Sequence, residues 1–153
     1  MAHLLIWQHA ANLQALRILV DGMGFPDGPI SKQADCYMFV IAVRNALRGV
    51  DLVRKVSDKV THSQIDRAKN AFDKQVPRLI DLRNVLDHFD MYAVGKGELQ
   101  GAAGWLPNAW FERTENSYVY NVGVSRATPL LRIDVRTTHV ALMRLVTDVG
   151  STI

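Results

Sequence analysis

An arginine, an asparagine and a histidine lie close together in the sequence, at Arg83, Asn84 and His88. A guanidinium group binds anions through a fixed fork of donors, and an imidazole exchanges protons near neutral pH. At about 100° of rotation per residue, Asn84 and His88 lie one turn apart on a helix, with Arg83 beside them. A cation, an amide and an imidazole are therefore expected at one end of one helix.

The helix that carries these residues is predicted from a stripe of apolar side chains. They recur every three or four positions, which places them along one side of an α-helix: Val76, Leu79, Leu82, Leu86, Phe89 and Ala93. We predict that this helix begins at a capping box, Thr61-His62-Ser63-Gln64, and runs to about Val94. Pro77 lies within it and predicts a kink or a restart, because proline removes one backbone hydrogen bond and clashes with the previous turn.

Two more helices are predicted before this one. The first runs from His3 to about Asp21, and the second begins at an N-cap, Ser31, and continues to about Val56. Gly49 lies within the second helix, where it predicts either a close helix contact or a break.

The periodicity changes in the last third of the chain. Short segments rich in aromatic and β-branched residues, at 109–112, 118–123 and 130–134, predict a small antiparallel hairpin or three-stranded sheet. Helical spacing returns from Val135 to about Val149. The expected fold is mainly α, an antiparallel helical bundle with a β insertion at about 109–134 before the last helix. With 153 residues and 48% hydrophobic content, we expect a single domain over 1–153.

Composition narrows the classes of function. A formal net charge of +3 suits a polyanionic partner but is well short of the dense charge of a dedicated nucleic-acid-binding protein. The single cysteine, Cys36, excludes an intramolecular disulfide and a cysteine-based zinc cluster, and we expect it to be a buried, inert thiol. No histidines or carboxylates have metal-ligand spacing, so neither a metal nor a cofactor is predicted. Because residues 1–7 lack a basic leader and are followed by polar residues, we expect no membrane span and a cytoplasmic protein.

A structural interpretation of the same residues competes with a functional one. Arg83 and Asp87 are spaced to form an i,i+4 ion pair on a solvated helix face, worth a few tenths of a kcal/mol. Asn84 and His88 would then be only polar neighbours. The Arg–His spacing is also loose, since Arg132 and His139 satisfy it across a predicted strand and helix.

The Arg-Asn-x3-His motif, late in a long helix of a small helical protein, resembles the signature of the HEPN family (higher eukaryote and prokaryote nucleotide-binding domains). The resemblance covers Ser31 to Val94. It implies a HEPN-like bundle that forms a homodimer, with the motif helices of two subunits meeting in one cleft. It also implies a metal-independent endoribonuclease of toxin or defence type, in which the ribose 2′-hydroxyl of RNA attacks the adjacent phosphorus.

The resemblance also implies roles and partners. His88 would be the general acid or base, Arg83 would stabilise charge on the phosphorane, and Asn84 would orient the histidine or the phosphate. RNA and an antitoxin protein are the implied partners. Some family members carry a tyrosine two residues after the histidine, which a partner nucleotidyltransferase modifies. Here that position is Asp90, and Tyr92 lies four residues after the histidine, so we do not expect this regulation.

Two other functions fit the same sequence. One is a HEPN-like module without catalysis that serves in dimerisation or in nucleotide or RNA binding, and the other is a structural bundle that docks another protein. Arg44-Asn45 repeats the Arg-Asn pair in the second helix and predicts a solvated face or a phosphate contact. Whether the basic residues form one patch near the cleft depends on the fold: Lys32, Arg44, Arg48, Arg54, Lys55, Lys59, Arg67, Lys69 and Lys74.

Overall fold

The computed structural model describes residues 1–20, 29–88, 91, 94, 96, 108–123 and 130–152. Its elements follow one another along the chain as α1 (Ala2–Leu19), α2 (Pro29–Val56), α3 (Lys59–Gln75), α4 (Leu79–Asp87), β1 (Asn108–Arg113), β2 (Tyr118–Gly123), β3 (Leu131–Asp134) and α5 (Val135–Gly150). The fold is mainly helical, with a small three-stranded antiparallel sheet before the last helix, as the sequence predicted. The single domain over 1–153 stays a prediction.

The centre of the fold is α2, which lies against α1, α4 and β1. Its long apolar face is fully buried from Cys36 to Val53 and joins buried residues of every other helix in one hydrophobic cluster. Burial raises the pKa of the Cys36 thiol to about 12, with Asp35 adding to the effect, so this cysteine stays protonated. The expectation of a buried, inert thiol is confirmed.

The helices α1 and α2 touch at Gly49. A Cβ built at this position would lie 2.7 Å from Leu4 Cα, closer than real Cβ contacts come. Glycine is therefore required because the backbone of α1 occupies the space of a side chain. Of the two predictions for Gly49, the close helix contact is the one that the structure confirms, and α2 continues through it.

The long predicted helix from Thr61 to Val94 is divided after Gln75 into α3 and α4, which is the restart expected at Pro77. Arg78, at φ 62° and ψ 19°, adopts the left-handed conformation between them and turns the chain before α4 begins. The predicted end at Val94 is wrong, because α4 ends at Asp87 and His88 leaves the helical conformation at φ −112° and ψ 32°.

Two predicted helix starts are also wrong. The N-cap of α3 is Asp58, whose Oδ1 accepts hydrogen bonds from the backbone N–H groups of Val60 at 2.8 Å and Thr61 at 2.9 Å. A carboxylate is a strong N-cap, and these bonds lower the pKa of Asp58. The capping box at Thr61 therefore lies inside the first turn. Similarly, α2 begins at Pro29, a residue that suits the first helical turn, rather than at Ser31.

The sheet has the order β1-β2-β3, with both pairs antiparallel. Its central strand β2 is buried along most of its length and packs with β3 against α5. Gln33 of α2 donates a hydrogen bond from Nε2 to the carbonyl oxygen of Ala109 at 2.9 Å, which ties the edge strand to the central helix. Asp134 ends β3 and caps α5, since its Oδ1 accepts from the Thr137 N–H at 2.7 Å.

Gly49→Ala is expected to destabilise the protein. The added Cβ gains about 1 kcal/mol in helix propensity, but overpacking against the Leu4 backbone costs about 1 to 3 kcal/mol, so we expect a net loss of up to about 2 kcal/mol. Gly150→Ala is the matched control, because nothing lies within 4 Å of its Cβ position. Urea denaturation measures both variants, and equal stability of the two would contradict the close approach.

Stability should also fall as the pH drops through about 6.5. His139 of α5 donates from Nε2 to Asn12 Oδ1 of α1 at 2.9 Å, and burial, followed by the charge of Arg136, lowers its pKa from the ordinary 6.5. The folded protein then binds this proton more weakly than the unfolded chain, so acidification favours unfolding. Urea denaturation from about pH 7.5 to 5.5 should show this loss in the wild type and less of it in His139→Gln. If the exposed control His9→Gln flattens the profile equally, His139 is not its source.

Candidate anion-binding groove

The short helix α4 presents two different faces. Leu79, Leu82 and Val85 are buried and hold the helix against the core. Arg83 and Asp87, one turn apart on the other side, face α2. The apolar stripe predicted from the sequence thus positions the polar residues of the motif along the α2–α4 junction.

An open cavity of about 320 Å³ lies at this junction, and we call it the arginine groove. Its walls come from both helices: Tyr37, Met38, Ile41, Arg44, Asn45 and Arg48 of α2, and Arg83 and Asp87 of α4. Among the described residues, three guanidinium groups therefore line the groove, against one carboxylate. This composition suits an anion, because guanidinium groups match phosphate or carboxylate oxygens in pairs.

The carboxylate is already engaged. Arg83 forms an ion pair through Nη2 with Asp87 Oδ2, and its Nη1 donates to Asn84 Oδ1 at 3.2 Å. The i,i+4 pair that the structural interpretation predicted is therefore present. Both side chains remain partly exposed, at 22% for Arg83 and 21% for Asp87, so solvent can reach the pair.

The two arginines of α2 retain most of their donors. Arg48 donates from Nη1 to Asn45 Oδ1 at 3.4 Å, whereas Arg44 forms no ion pair or hydrogen bond with any residue that the structure describes. Burial is the main cause that lowers the pKa of Arg44; Arg48 and Arg83 lower it further, and Asp51 and Asp73 partly offset them. Like charges are thus held together at the groove, and a bound anion would relieve their repulsion.

His88 lies outside the walls of the groove. It is exposed as the C-cap residue of α4, and its backbone N–H donates to the Asn84 carbonyl oxygen at 3.0 Å. The three predicted site residues therefore separate: Arg83 lines the groove, Asn84 supports Arg83, and His88 is available to solvent at the end of the helix. Asp90 and Tyr92 lie outside the described residues.

The basic patch expected from the sequence is only partly formed. Arg54 is paired with Asp66 at 2.6 Å, and Lys69 with Asp51 at 2.5 Å. Lys32 is buried and donates from Nζ to the carbonyl oxygens of Arg17 and Ile18 at the end of α1, both at 3.0 Å. These three cations have structural partners and do not line the groove.

The groove brings Arg44, Asn45 and Arg48 of α2 together with Arg83 of α4. Of the two interpretations of Arg44-Asn45, the phosphate contact is the one that suits this groove. The sequence reasoning singled out Arg44-Asn45 but gave Arg48 no role of its own. The signal for it was the i,i+4 spacing of Arg44 and Arg48 on one helix. The second Arg–His pair does not form a site. Arg132 is exposed on β3, whereas His139 forms a hydrogen bond with Asn12 of α1.

Metal binding and membrane insertion are two other classes of function to consider. Within the described residues, no group of three or more histidine, cysteine or acidic side chains is arranged to hold a metal ion. No helix in this part of the chain is long and apolar enough to cross a membrane. The cytoplasmic location stays a prediction.

Comparison with known proteins gives no matching family model, no similar curated protein and no similar solved structure. The groove is therefore interpreted from its own residues and from the motif resemblance.

Asp87→Asn is expected to strengthen anion binding in the groove. The substitution removes the carboxylate that neutralises Arg83, so tripolyphosphate should bind about 5-fold more tightly, equivalent to about 1 kcal/mol. Isothermal titration calorimetry at low salt measures the change. Asp148→Asn makes the same charge change on an exposed residue of α5 and serves as the control. An equal effect of both variants would mean that net charge, and not the groove, governs binding.

Proposed function

We propose that this chain is a HEPN-like, metal-independent endoribonuclease of toxin or defence type that binds RNA phosphates in the arginine groove. The observation that carries the proposal is the arginine groove itself, with Arg44, Arg48 and Arg83 around one open cavity beside the motif helix. RNA is the substrate class because its backbone supplies closely spaced phosphates and because the motif resembles that of HEPN ribonucleases. The mild positive charge of +3 is compatible with such a partner.

The reaction is an internal transesterification. The ribose 2′-oxygen forms a bond to the adjacent phosphorus while the bond from phosphorus to the 5′-oxygen breaks, which leaves a 2′,3′-cyclic phosphate and a free 5′-hydroxyl. Imidazole groups accept the 2′-hydroxyl proton and protonate the leaving 5′-oxygen, which is the role of His88. Arg83 stabilises the additional negative charge on the phosphorane through paired donors. Asn84 positions Arg83 through the 3.2 Å hydrogen bond between Oδ1 and Nη1.

A homodimer belongs to this proposal. In one protomer the imidazole of His88 is exposed at the end of α4 and does not line the groove that contains Arg83. Two-fold pairing along the motif helices would bring the histidine of each subunit toward the groove of the other and double every functional group. An antitoxin protein that covers the groove is the partner that a toxin role implies.

A second candidate function is a HEPN-like module that binds RNA or nucleotides without cleaving them. The ion pair between Arg83 and Asp87 favours it, because the guanidinium that the reaction needs is already neutralised. The position of His88 outside the groove favours it as well. The two candidates share the arginine groove and differ only in catalysis.

His88→Ala is expected to reduce RNA cleavage by about 10²- to 10⁴-fold while RNA binding is retained, because general acid–base catalysis contributes this much. Arg83→Ala should weaken both binding and cleavage. The assay uses labelled RNA with a chelator present, and gel analysis detects the cyclic phosphate end. His9→Ala, which removes an exposed histidine of α1, is the control.

Expression in a host complements this assay. Growth arrest by the wild type that His88→Ala and Arg83→Ala both relieve supports the ribonuclease. If the wild-type protein is dimeric and binds RNA but does not cleave it at any protein concentration, the result supports the binding module instead.

A further inference from the structure

A second cavity lies farther along α2, between this helix and the start of α1. It has a volume of about 390 Å³, and we call it the aromatic pocket. Its walls are formed by His3 and Trp7 of α1 and by Asn45, Arg48, Asp51, Leu52 and Lys55 of α2. Both cavities are lined by cations, apolar or aromatic side chains and a carboxylate. The aromatic pocket is distinguished by the rings of His3 and Trp7, which lie beside Arg48 and Lys55.

The two cavities are adjacent. Asn45 and Arg48 line both of them, so these two side chains form the border between the arginine groove and the aromatic pocket. Arg48 Nη1 donates to Asn45 Oδ1 at 3.4 Å, which holds the guanidinium along this border. One ligand that runs along this face of α2 could therefore contact Arg44 and Arg83 at one end and Trp7 at the other.

The aromatic pocket has the groups that bind a nucleobase. The rings of His3 and Trp7 meet edge to face, with centroids 6.3 Å apart and an interplanar angle of 62°. Trp7 is half-buried against the core and is thus held in place, while His3 is exposed at the rim. An indole is the kind of surface on which a base stacks, and Leu52 adds apolar contact.

The charge of the pocket is also favourable. Asp51, the one acidic wall residue in the described part of the chain, is paired with Lys69 through an Oδ1–Nζ contact of 2.5 Å. Arg48 and Lys55 form no ion pair within the described part of the chain. The pocket therefore presents two cations beside an aromatic surface, which is the combination found where proteins bind single-stranded nucleic acid.

We propose that the aromatic pocket binds an unpaired base of the RNA strand whose phosphate occupies the arginine groove. Arg48, on the border, contacts the phosphate that links the two subsites. The inference rests on the proposed function, because it requires RNA in the groove. It adds a selectivity that the groove alone does not have: a base must leave the helical stack to reach Trp7, so single strands bind better than duplexes.

The test compares two strands with the same number of phosphates. One is a short 2′-O-methyl oligonucleotide, which cannot be cleaved because it lacks the attacking hydroxyl, and the other is the same backbone without bases. Fluorescence anisotropy measures the dissociation constant of each. We expect wild-type protein to bind the strand with bases at least 5-fold more tightly, since stacking of one base contributes about 5-fold or more. The complementary duplex should bind more weakly than the single strand.

Variants localise the preference. Trp7→Ala should abolish the difference between the two strands while tripolyphosphate still binds, and Trp7→Phe should retain part of it. Because Trp7 also packs against the core, His3→Ala at the exposed rim provides a second variant that leaves the core intact, and it should reduce the difference. Arg67→Ala, an exposed cation of α3 that lines neither cavity, should leave the difference unchanged. Circular dichroism confirms that each variant is folded.

The outcomes separate this inference from the proposed function. If the wild type binds both strands equally, or if His3→Ala and Trp7→Phe both keep the full preference, the base subsite is wrong while the phosphate groove stands. If the wild type binds neither strand nor tripolyphosphate, the proposed function fails and this subsite fails with it.

Discussion

The close approach of α1 to α2 at Gly49 is the constraint on which the rest of the arrangement depends. With the Leu4 backbone occupying the position of a Cβ, α1 cannot move away without opening a void or move closer without a clash. This contact fixes the residues at the start of α1, including His3 and Trp7, beside the second half of α2. Helix α4 also packs on α2, and Asn45 and Arg48 of α2 contribute walls to both cavities.

The basic side chains fall into two groups, those with a protein partner that stabilises the fold and those whose donors remain available to a ligand. Arg54 and Lys69 have carboxylate partners, and Lys32 satisfies the last carbonyl groups of α1. Arg44 has no such partner within the described residues, and the charges of Arg48 and Arg83 act on it together with those of Asp51 and Asp73. The contact between Arg83 and Asp87 is partly solvated and is worth about 1 kcal/mol or less, so a bidentate phosphate contact can replace it.

Local signals in the sequence predicted most of the elements, whereas the site depends on contacts that no local signal encodes. The three strands, the last helix and the restart after Pro77 follow from periodicity and from proline geometry, and the structure confirms them. The start of α3 was missed because Asp58 and Thr61 are both good caps, and the carboxylate accepts two backbone hydrogen bonds. The end of α4 was missed because apolar spacing continues beyond Asp87. The meeting of Arg48 with Arg83 arises only when α2 packs on α4.

His88 is exposed and does not line the arginine groove, so a catalytic role for it would require that a phosphate be brought to its imidazole. Proton transfer needs the imidazole within hydrogen-bonding reach of the reacting oxygen, because a guanidinium group in a protein does not give up its proton. A solvent-exposed imidazole at a helix end can meet this requirement only if another surface brings a phosphate to it. In the proposed two-fold pair along α4, the groove of the partner would be such a surface, and the same contact would exclude water from the ion pair of Arg83 and strengthen its electrostatic effect. A catalytic role for His88 would therefore require association, whereas the proposed anion binding by the groove would not.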